Sequence, residues 1–472
     1  MRYFFLALFL SLILTCFFYP SQGQMSGFPF IKTHQTQQYG IRNENVSMAQ
    51  DDRGLIYMGT SNGLLQYDGH HWERIHSRAN PVVTSGKNGT IFTGQYGAFG
   101  FLKETPTGIH FQPLLNNSEL DAAEALKKIS GVVGCKDQIF FSSENHLYSF
   151  ELKGKSHLRR GEKEERNELF ANKNTTPQGD TKDKPREKTT EPAPDRVSPA
   201  PAKNNPDKKE TPALKKGSIQ KIKTFRGAIS LYELDKNQLF VYVQDGSLYL
   251  KTGEKFREVI PSSLLTAPVI AVIRHQNQQM VVLEDATALV VGKDAQPVSR
   301  SLLPGGVKTH TLTDAVSIHD QLALATLSGG LILTGVNDRD VQVLDEAGGL
   351  LHSRLNNLFT DHSANLWALH PNGVSIIRLS SGIQVFNRQN GIEGVINQVT
   401  RFQNKLYLAT SRGVYYGAPS GKFRKAGSVG SEAFRFYTTD SLLYAATRQG
   451  IFQLKDSEAR LFYNQFSRQY TA

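Results

Sequence analysis

Few positions in this 472-residue chain combine residue types that could do chemistry. His70-His71 beside Trp72 and Glu73 has the composition of a metal or sugar site. Adjacent residues in a strand point to opposite faces, however, so the two imidazoles cannot easily meet one ion. Trp72 is expected instead to pack in the outer strand of its sheet. Asp361, followed by Asn365 and Trp367, suits a tight acidic turn; a glycosidase would also need a pair of carboxylates flanking its bond. Cys135 has no histidine within sequence reach and reads as an inert strand-end thiol. The chain contains no Gly-rich phosphate loop ending in Lys-Ser or Lys-Thr and no His-Glu-x-x-His, so no catalytic residue, metal ligand or cofactor is assigned. For ligand binding, the aromatic loop residues Tyr96 and Phe99 are the candidates.

The elements that must position such residues announce themselves as repeats. One phrase, a small residue, Thr, two variable residues, Gly and then apolar residues, occurs at Gly59-Thr60-Ser61-Asn62-Gly63-Leu64, Ala409-Thr410-Ser411-Arg412-Gly413-Val414 and Ala446-Thr447-Arg448-Gln449-Gly450-Ile451, with a fourth copy at Ala325-Thr326-Leu327-Ser328-Gly329. Apolar runs such as Leu55-Ile56-Tyr57 precede them, which predicts strand, tight turn, strand. The glycine supplies a positive φ that a short hairpin requires, so the phrase is a turn and not a phosphate loop. Weaker copies place turns at Gly97, Asn145, Gly246, Ala286 and Gly373. From Gly246 onward the spacings are 40, 43, 44, 40 and 37 residues. A period near 40 without helical patterning predicts an all-β fold, a β-propeller of four-stranded blades. Seven repeats over about 41–387 make one ring, and two more begin an incomplete second propeller or enlarge the first, leaving sheet edges exposed. The content of 40 Gly and 27 Phe against 2 Trp and 5 Met agrees with turns and strands.

Residues 1–23 read as a secretory signal peptide: Met1-Arg2, an apolar run from Tyr3 to Tyr19, then Pro20-Ser21-Gln22-Gly23. The apolar run, which contains Cys16, is short for a bilayer span. Export implies a periplasmic or secreted protein, and with Cys135 the one remaining cysteine, no intramolecular disulfide can staple it. Within the propeller at 24–387, residues 152–217 form a charged, Pro-rich insert expected to be disordered. It holds 17 Lys and Arg against 11 Asp and Glu, so +6 of the net charge of +11 belongs to it. Lys208-Lys209 and Lys215-Lys216 therefore read as part of a solvated mixed-charge loop, and nucleic acid is not an expected partner. Subtracting about 60 residues for the insert restores the period between Asn145 and Gly246.

The stretch from Asn45 to Gly69, with Asp51-Asp52-Arg53-Gly54-Leu55-Ile56-Tyr57 at its centre, resembles the two-component-regulator propeller repeat of bacterial periplasmic sensor proteins. Asn357-Leu358-Phe359-Thr360-Asp361 and Asn365-Leu366-Trp367 look like the core of the same repeat, and the segments 404–415 and 442–452 also match. Asp361 with Asn365 and Trp367 is similar, too, to the Asp-box turn of sialidase propellers, read here as a turn. The regulator resemblance implies two periplasmic propellers, an immunoglobulin-like module, a membrane helix and a cytoplasmic kinase or DNA-binding output. This sequence stops before those later parts, so it reads as a truncated sensor region or a propeller working with a separate partner.

The function expected is a non-enzymatic periplasmic sensor propeller binding a small molecule such as a saccharide on the loops of one face. Its signalling output lies in a domain or partner outside this chain, a membrane tether would come from the missing C-terminal region, and a homodimer is compatible with it. The alternatives are a secreted protein-binding scaffold, marked by a broad exposed apolar patch on the ring face or on the last two repeats, and a glycosidase or lyase, marked by two carboxylates converging in the channel.

Overall fold

The computed structural model describes residues 27–36, 47–116, 126–152 and 219–464, apart from short stretches at 236, 245, 293–295, 304–309, 320, 335–340, 418–421, 428 and 456. The signal-peptide and insert assignments lie outside these residues. The described residues form nine antiparallel sheets, each built on four strands. We number them as blades 1 (47–75), 2 (82–116), 3 (129–224), 4 (229–260), 5 (269–302), 6 (312–344), 7 (357–378), 8 (396–425) and 9 (433–463).

Blades 1 to 7 close a ring. Their first strands pack side by side in order, and the first strand of blade 1 touches those of both blade 2 and blade 7. Each seam between neighbours has its own hydrophobic cluster. Tyr57 and Leu64 of blade 1 meet Val83 and Ile91 of blade 2, and so on around to Leu333 with Leu366 between blades 6 and 7. The circle is completed by Met58 and Tyr67 of blade 1 against Trp367 and Val374 of blade 7. Sandwiching between two neighbours explains why middle strands such as Gln238–Val243 (QLFVYV) and Leu366–His370 (LWALH) read as continuous apolar runs instead of alternating.

Blade 7 takes its fourth strand from the N-terminus. Phe28–Gln35 pairs antiparallel with Gly373–Arg378, from Phe30 opposite Arg378 to Gln35 opposite Gly373. Its first residues then pair with Gln384–Val385, so one strand both closes the ring and anchors the connection leading out of it. The repeat pattern does not reveal this strand, which lies upstream of the first repeat.

The insert interrupts blade 3 without disturbing it. The strands on either side, His146–Glu151 and Ile219–Thr224, pair as an ordinary hairpin from His146 opposite Thr224 to Phe150 opposite Ile219. The loop thus enters at a hairpin tip, where extra length costs little.

The Thr-Gly phrase closes the second-to-third-strand turn in blades 1, 6, 8 and 9. Thr60 Oγ1 donates to the Gly63 carbonyl and accepts the Asn62 N–H, and Thr410 and Thr447 repeat the pattern; Thr326 bonds one residue later, to the Gly330 carbonyl and the Gly329 N–H, so the positive φ falls on Gly330 and not on the expected Gly329, and all four threonines are fully buried. Gly63, Gly413 and Gly450 have φ of 130°, 126° and 136°, as the turn requires. In blade 3 the positive φ falls on Glu144, one residue before the expected Asn145, and in blade 4 Gly246 does not need one.

Candidate functional site

Four strands running up and down give the ring two unlike loop faces. One carries the first-to-second-strand turns and the hairpin interrupted by the insert. The other carries the Thr-Gly turns and the connections between blades.

On the first face the acidic turns are structural. Asp361 Oδ1 accepts the N–H groups of Ser363 and Asn365, and Trp367 Nε1 donates to Asp361 Oδ2 at 2.9 Å. Asp51 makes the same turn in blade 1: its Oδ1 accepts the Arg53 and Leu55 N–H groups, and Tyr57 OH reaches Oδ2 at 3.3 Å. Desolvation and the adjacent carboxylate push the Tyr57 phenol well up. Gln50 Oε1 accepts the His362 N–H across the closing seam, tying the two turns together.

His70 and His71 stand exposed in a turn, their N–H groups donating to Asp68 Oδ1. Those bonds, His71 first, hold the Asp68 carboxyl below its usual range. The rings lie 6.4 Å apart. Among the described residues no group of three His, Cys, Asp or Glu side chains could hold a metal ion. Trp72 is in the outer strand Trp72–Ile75, stacked on Tyr67 at 4.6 Å. Cys135 is buried, and burial pushes its thiol up.

The second face presents Tyr96. This ring is 62% exposed at the turn of blade 2 and is braced from both sides. Arg78 Nη1 donates to the Tyr96 carbonyl at 2.8 Å, and the Arg78 N–H donates to Gln95 Oε1. The Gly97 N–H donates to the Lys127 carbonyl, and Lys127 pairs with Glu144 at 3.1 Å in the next turn. The turn that carries the exposed Tyr96 side chain is thereby held in place by Arg78 on one side and by the connection to blade 3 on the other. Phe99, the other candidate, is corrected. It is fully buried and stacked on Phe141 at 4.2 Å in the seam between blades 2 and 3, because blade 3 supplies the partner ring.

Sequence reasoning missed Asp314, on the first strand of blade 6 toward this same face. Its Oδ2 accepts the Leu358 N–H of blade 7 and its Oδ1 the Ala315 N–H. Burial pushes its carboxyl up to about 7, although both backbone bonds pull the other way. Similar stitches join other first strands. Ser47 Oγ accepts the Val83 N–H, and Tyr232 OH donates to the Val269 carbonyl. No local pattern marks these residues, since each bonds a strand about 40 positions away.

No protein-family model and no curated protein matches this sequence. Solved structures do match its fold. The extracellular domain of a hybrid two-component system from B. thetaiotaomicron superposes with a TM-score of 0.55 at 12% identity, over 91% of this chain and 53% of its own. The chain is a β-propeller. Other propeller matches are a streptogramin B lyase, with a TM-score of 0.49 at 10% identity over 74% of this chain and 97% of its own, and PorZ, a surface component of the type-IX secretion system of Porphyromonas gingivalis, with 0.40 at 9% over 93% and 53%. This propeller thus spans about half the length of the two-component structure it matches, and its neighbours include extracellular and surface proteins.

Proposed function

We propose that this propeller is the ligand-binding sensor region of a bacterial two-component or transcriptional regulatory system, working outside the cytoplasm and without catalysis of its own. The likeness in fold to an extracellular two-component domain supports that reading, as do the repeat residues around Asp51 and Asp361. The observation that carries it is Tyr96, an exposed ring on a braced turn of the loop face. Such a ring stacks on the apolar face of a sugar while Arg78 offers donors to its hydroxyls. A saccharide is therefore the ligand class, and the kinase or DNA-binding output belongs to a separate domain or partner. Asp314 suits a structural acid in this scheme, since both its oxygens are engaged by backbone amides.

Calorimetric titration with a panel of neutral and acidic oligosaccharides tests the reading. At least one should bind, and Tyr96→Ala should weaken it about tenfold or more without lowering the melting temperature. Absence of binding by every sugar, or a Tyr96→Ala protein that binds as well as the parent, would remove the proposal.

A further inference from the structure

The seam between blades 3 and 4 encloses a cation in aromatic rings. Ile219–Thr224, the strand that follows the insert, is the outer strand of blade 3 and carries Lys223. Its ammonium lies 4.8 Å from the centre of the Phe225 ring, 5.0 Å from that of Phe256 and 5.5 Å from that of Tyr249. The last two rings come from blade 4, Tyr249 from its third strand Leu248–Thr252 and Phe256 from its fourth, Lys255–Ile260. Phe225 stands at 87° to Phe256 and 53° to Tyr249, with centres 5.5 and 5.9 Å away, so the rings form three walls and not a stack. Phe225 is buried in one cluster with Phe140 and Leu147, while Tyr249 and Phe256 are half-buried, which leaves the cage reachable from solvent.

What the rings lack is an acceptor. An alkylammonium has three N–H donors, yet among the described residues no carboxylate pairs with Lys223 and no oxygen accepts from it. Two other lysines over rings are satisfied differently. Lys32 Nζ donates to Tyr67 OH, and Lys251 Nζ, 5.4 Å from the Phe140 ring, donates to the Gly253 carbonyl. A three-walled cage without acceptors matches a cation that has no donors, one whose charge is spread over methyl groups. Lys223 is then an internal plug. A ligand must displace it, but the strand pairing holds its backbone, so the freed ammonium stays at the rim. A simple cation would meet that ammonium as a like charge, whereas a ligand that also bears a carboxylate pairs with it.

We propose that the cage of Phe225, Tyr249 and Phe256 binds a small trimethylammonium carboxylate, its quaternary nitrogen replacing the Lys223 ammonium and its carboxylate accepting from that displaced ammonium. The site is additional to the Tyr96 face and does not rest on the sugar reading.

Calorimetric titration of the full chain with glycine betaine and, separately, with tetramethylammonium tests it. Glycine betaine should bind with a Kd of about 1 mM or tighter, and about tenfold more tightly than tetramethylammonium. Lys223→Ala empties the cage and removes the partner of the carboxylate, so it should admit tetramethylammonium and bring the two affinities within about threefold of each other. Phe256→Leu keeps an apolar side chain in the seam but removes one wall, and should weaken glycine betaine about tenfold with the melting temperature little changed. Failure of glycine betaine to bind the parent chain, a preference for it that survives in Lys223→Ala, or undiminished binding by Phe256→Leu would each overturn the proposal.

Discussion

The closed ring and the blade pair that follows it are made from the same repeat, yet they bury it differently. Tyr57 and Met58, on opposite faces of one middle strand in blade 1, are both buried because blade 2 covers one face and blade 7 the other. In blade 9 the corresponding strand Leu443–Thr447 alternates, with Leu443, Ala445 and Thr447 buried and Tyr444 and Ala446 half-buried. The first strands differ in the same way. Ile396–Phe402 and Ala433–Thr438 are largely exposed, while those of blades 1 to 7 are held in a circle of neighbours. Local sequence makes a blade, and neighbours packed on both sides give it two covered faces.

The charge follows the same division. Residues 388–463 hold eleven Lys and Arg against five Asp and Glu, a net +6, equal to the insert's share of the total of +11. The ring itself is left slightly acidic, so the blade pair is the part of the described protein suited to meet anionic or aromatic surfaces.

The contrast can be broken most severely at the ring's closure. Deleting Phe28–Gln35 uncovers the edge of blade 7 and should abolish the cooperative calorimetric transition of the ring. Deleting 388–472 should shift that transition by only a few degrees, about 5 °C at most. If both truncations behaved alike, the distinction between ring and pair would fail.

Next in size is a comparison of buried aromatics. Trp367→Ala removes a side chain packed in the closing seam and a bond to Asp361, and should cost about 3–5 kcal/mol in denaturant unfolding. Tyr437→Ala, on the open face of blade 9, should cost less than about 1 kcal/mol. Equal losses would contradict the difference in burial between the closing seam and the exposed Tyr437.

Two ring residues set opposing responses to pH. His370 is fully buried between Ser375 Oγ and the Arg354 carbonyl, and desolvation lowers its pKa from 6.5 to about 4. The unfolded chain takes up its proton first, so this residue's contribution is complete above 6.5 and is lost as pH falls from there toward 4. Asp314 has the opposite sign. Its pKa rises from 3.8 to about 7, so its contribution is complete below 3.8 and is lost as pH climbs toward 7. Over the shared window the two slopes offset each other. Stability measured between pH 4 and 7 should tilt upward with pH in Asp314→Asn and downward in His370→Gln; parallel profiles in both variants would contradict the assignment.

Smallest is the turn threonine. Thr326→Val in the ring and Thr447→Val in blade 9 each remove a buried hydroxyl that bridges its hairpin, at a cost of about 1–2 kcal/mol. Because these bonds are local, the two losses should match, which would confirm that ring and pair differ in packing and not in blade construction.

Much of this was legible in the residues. The Gly after Thr marks a hairpin because few other residues tolerate its φ, and its recurrence near 40 residues gives the propeller. Asp361 and Trp367 six residues on belong to one turn, readable because all its partners are within seven positions. Tyr96 and Phe99 could not be separated in sequence. Tyr96 lies in the turn and Phe99 on the third strand Ala98–Thr105 of blade 2, and Phe141 from blade 3 makes Phe99 core while Tyr96 stays at the surface. Phe28–Gln35 was silent for the same reason, since its partner strand lies about 340 residues downstream.

The sequence by itself determined the unit: strand lengths, turn positions, the Thr-Gly hairpin and the acidic turn are short-range choices of φ, ψ and hydrogen bonding. The tertiary structure decided which units share faces and that the N-terminal strand closes the seventh blade. Those outcomes depend on contacts between residues tens to hundreds of positions apart, whose pairing is set by the entropy of closing the circle and the apolar area buried at each seam, quantities that no local pattern records.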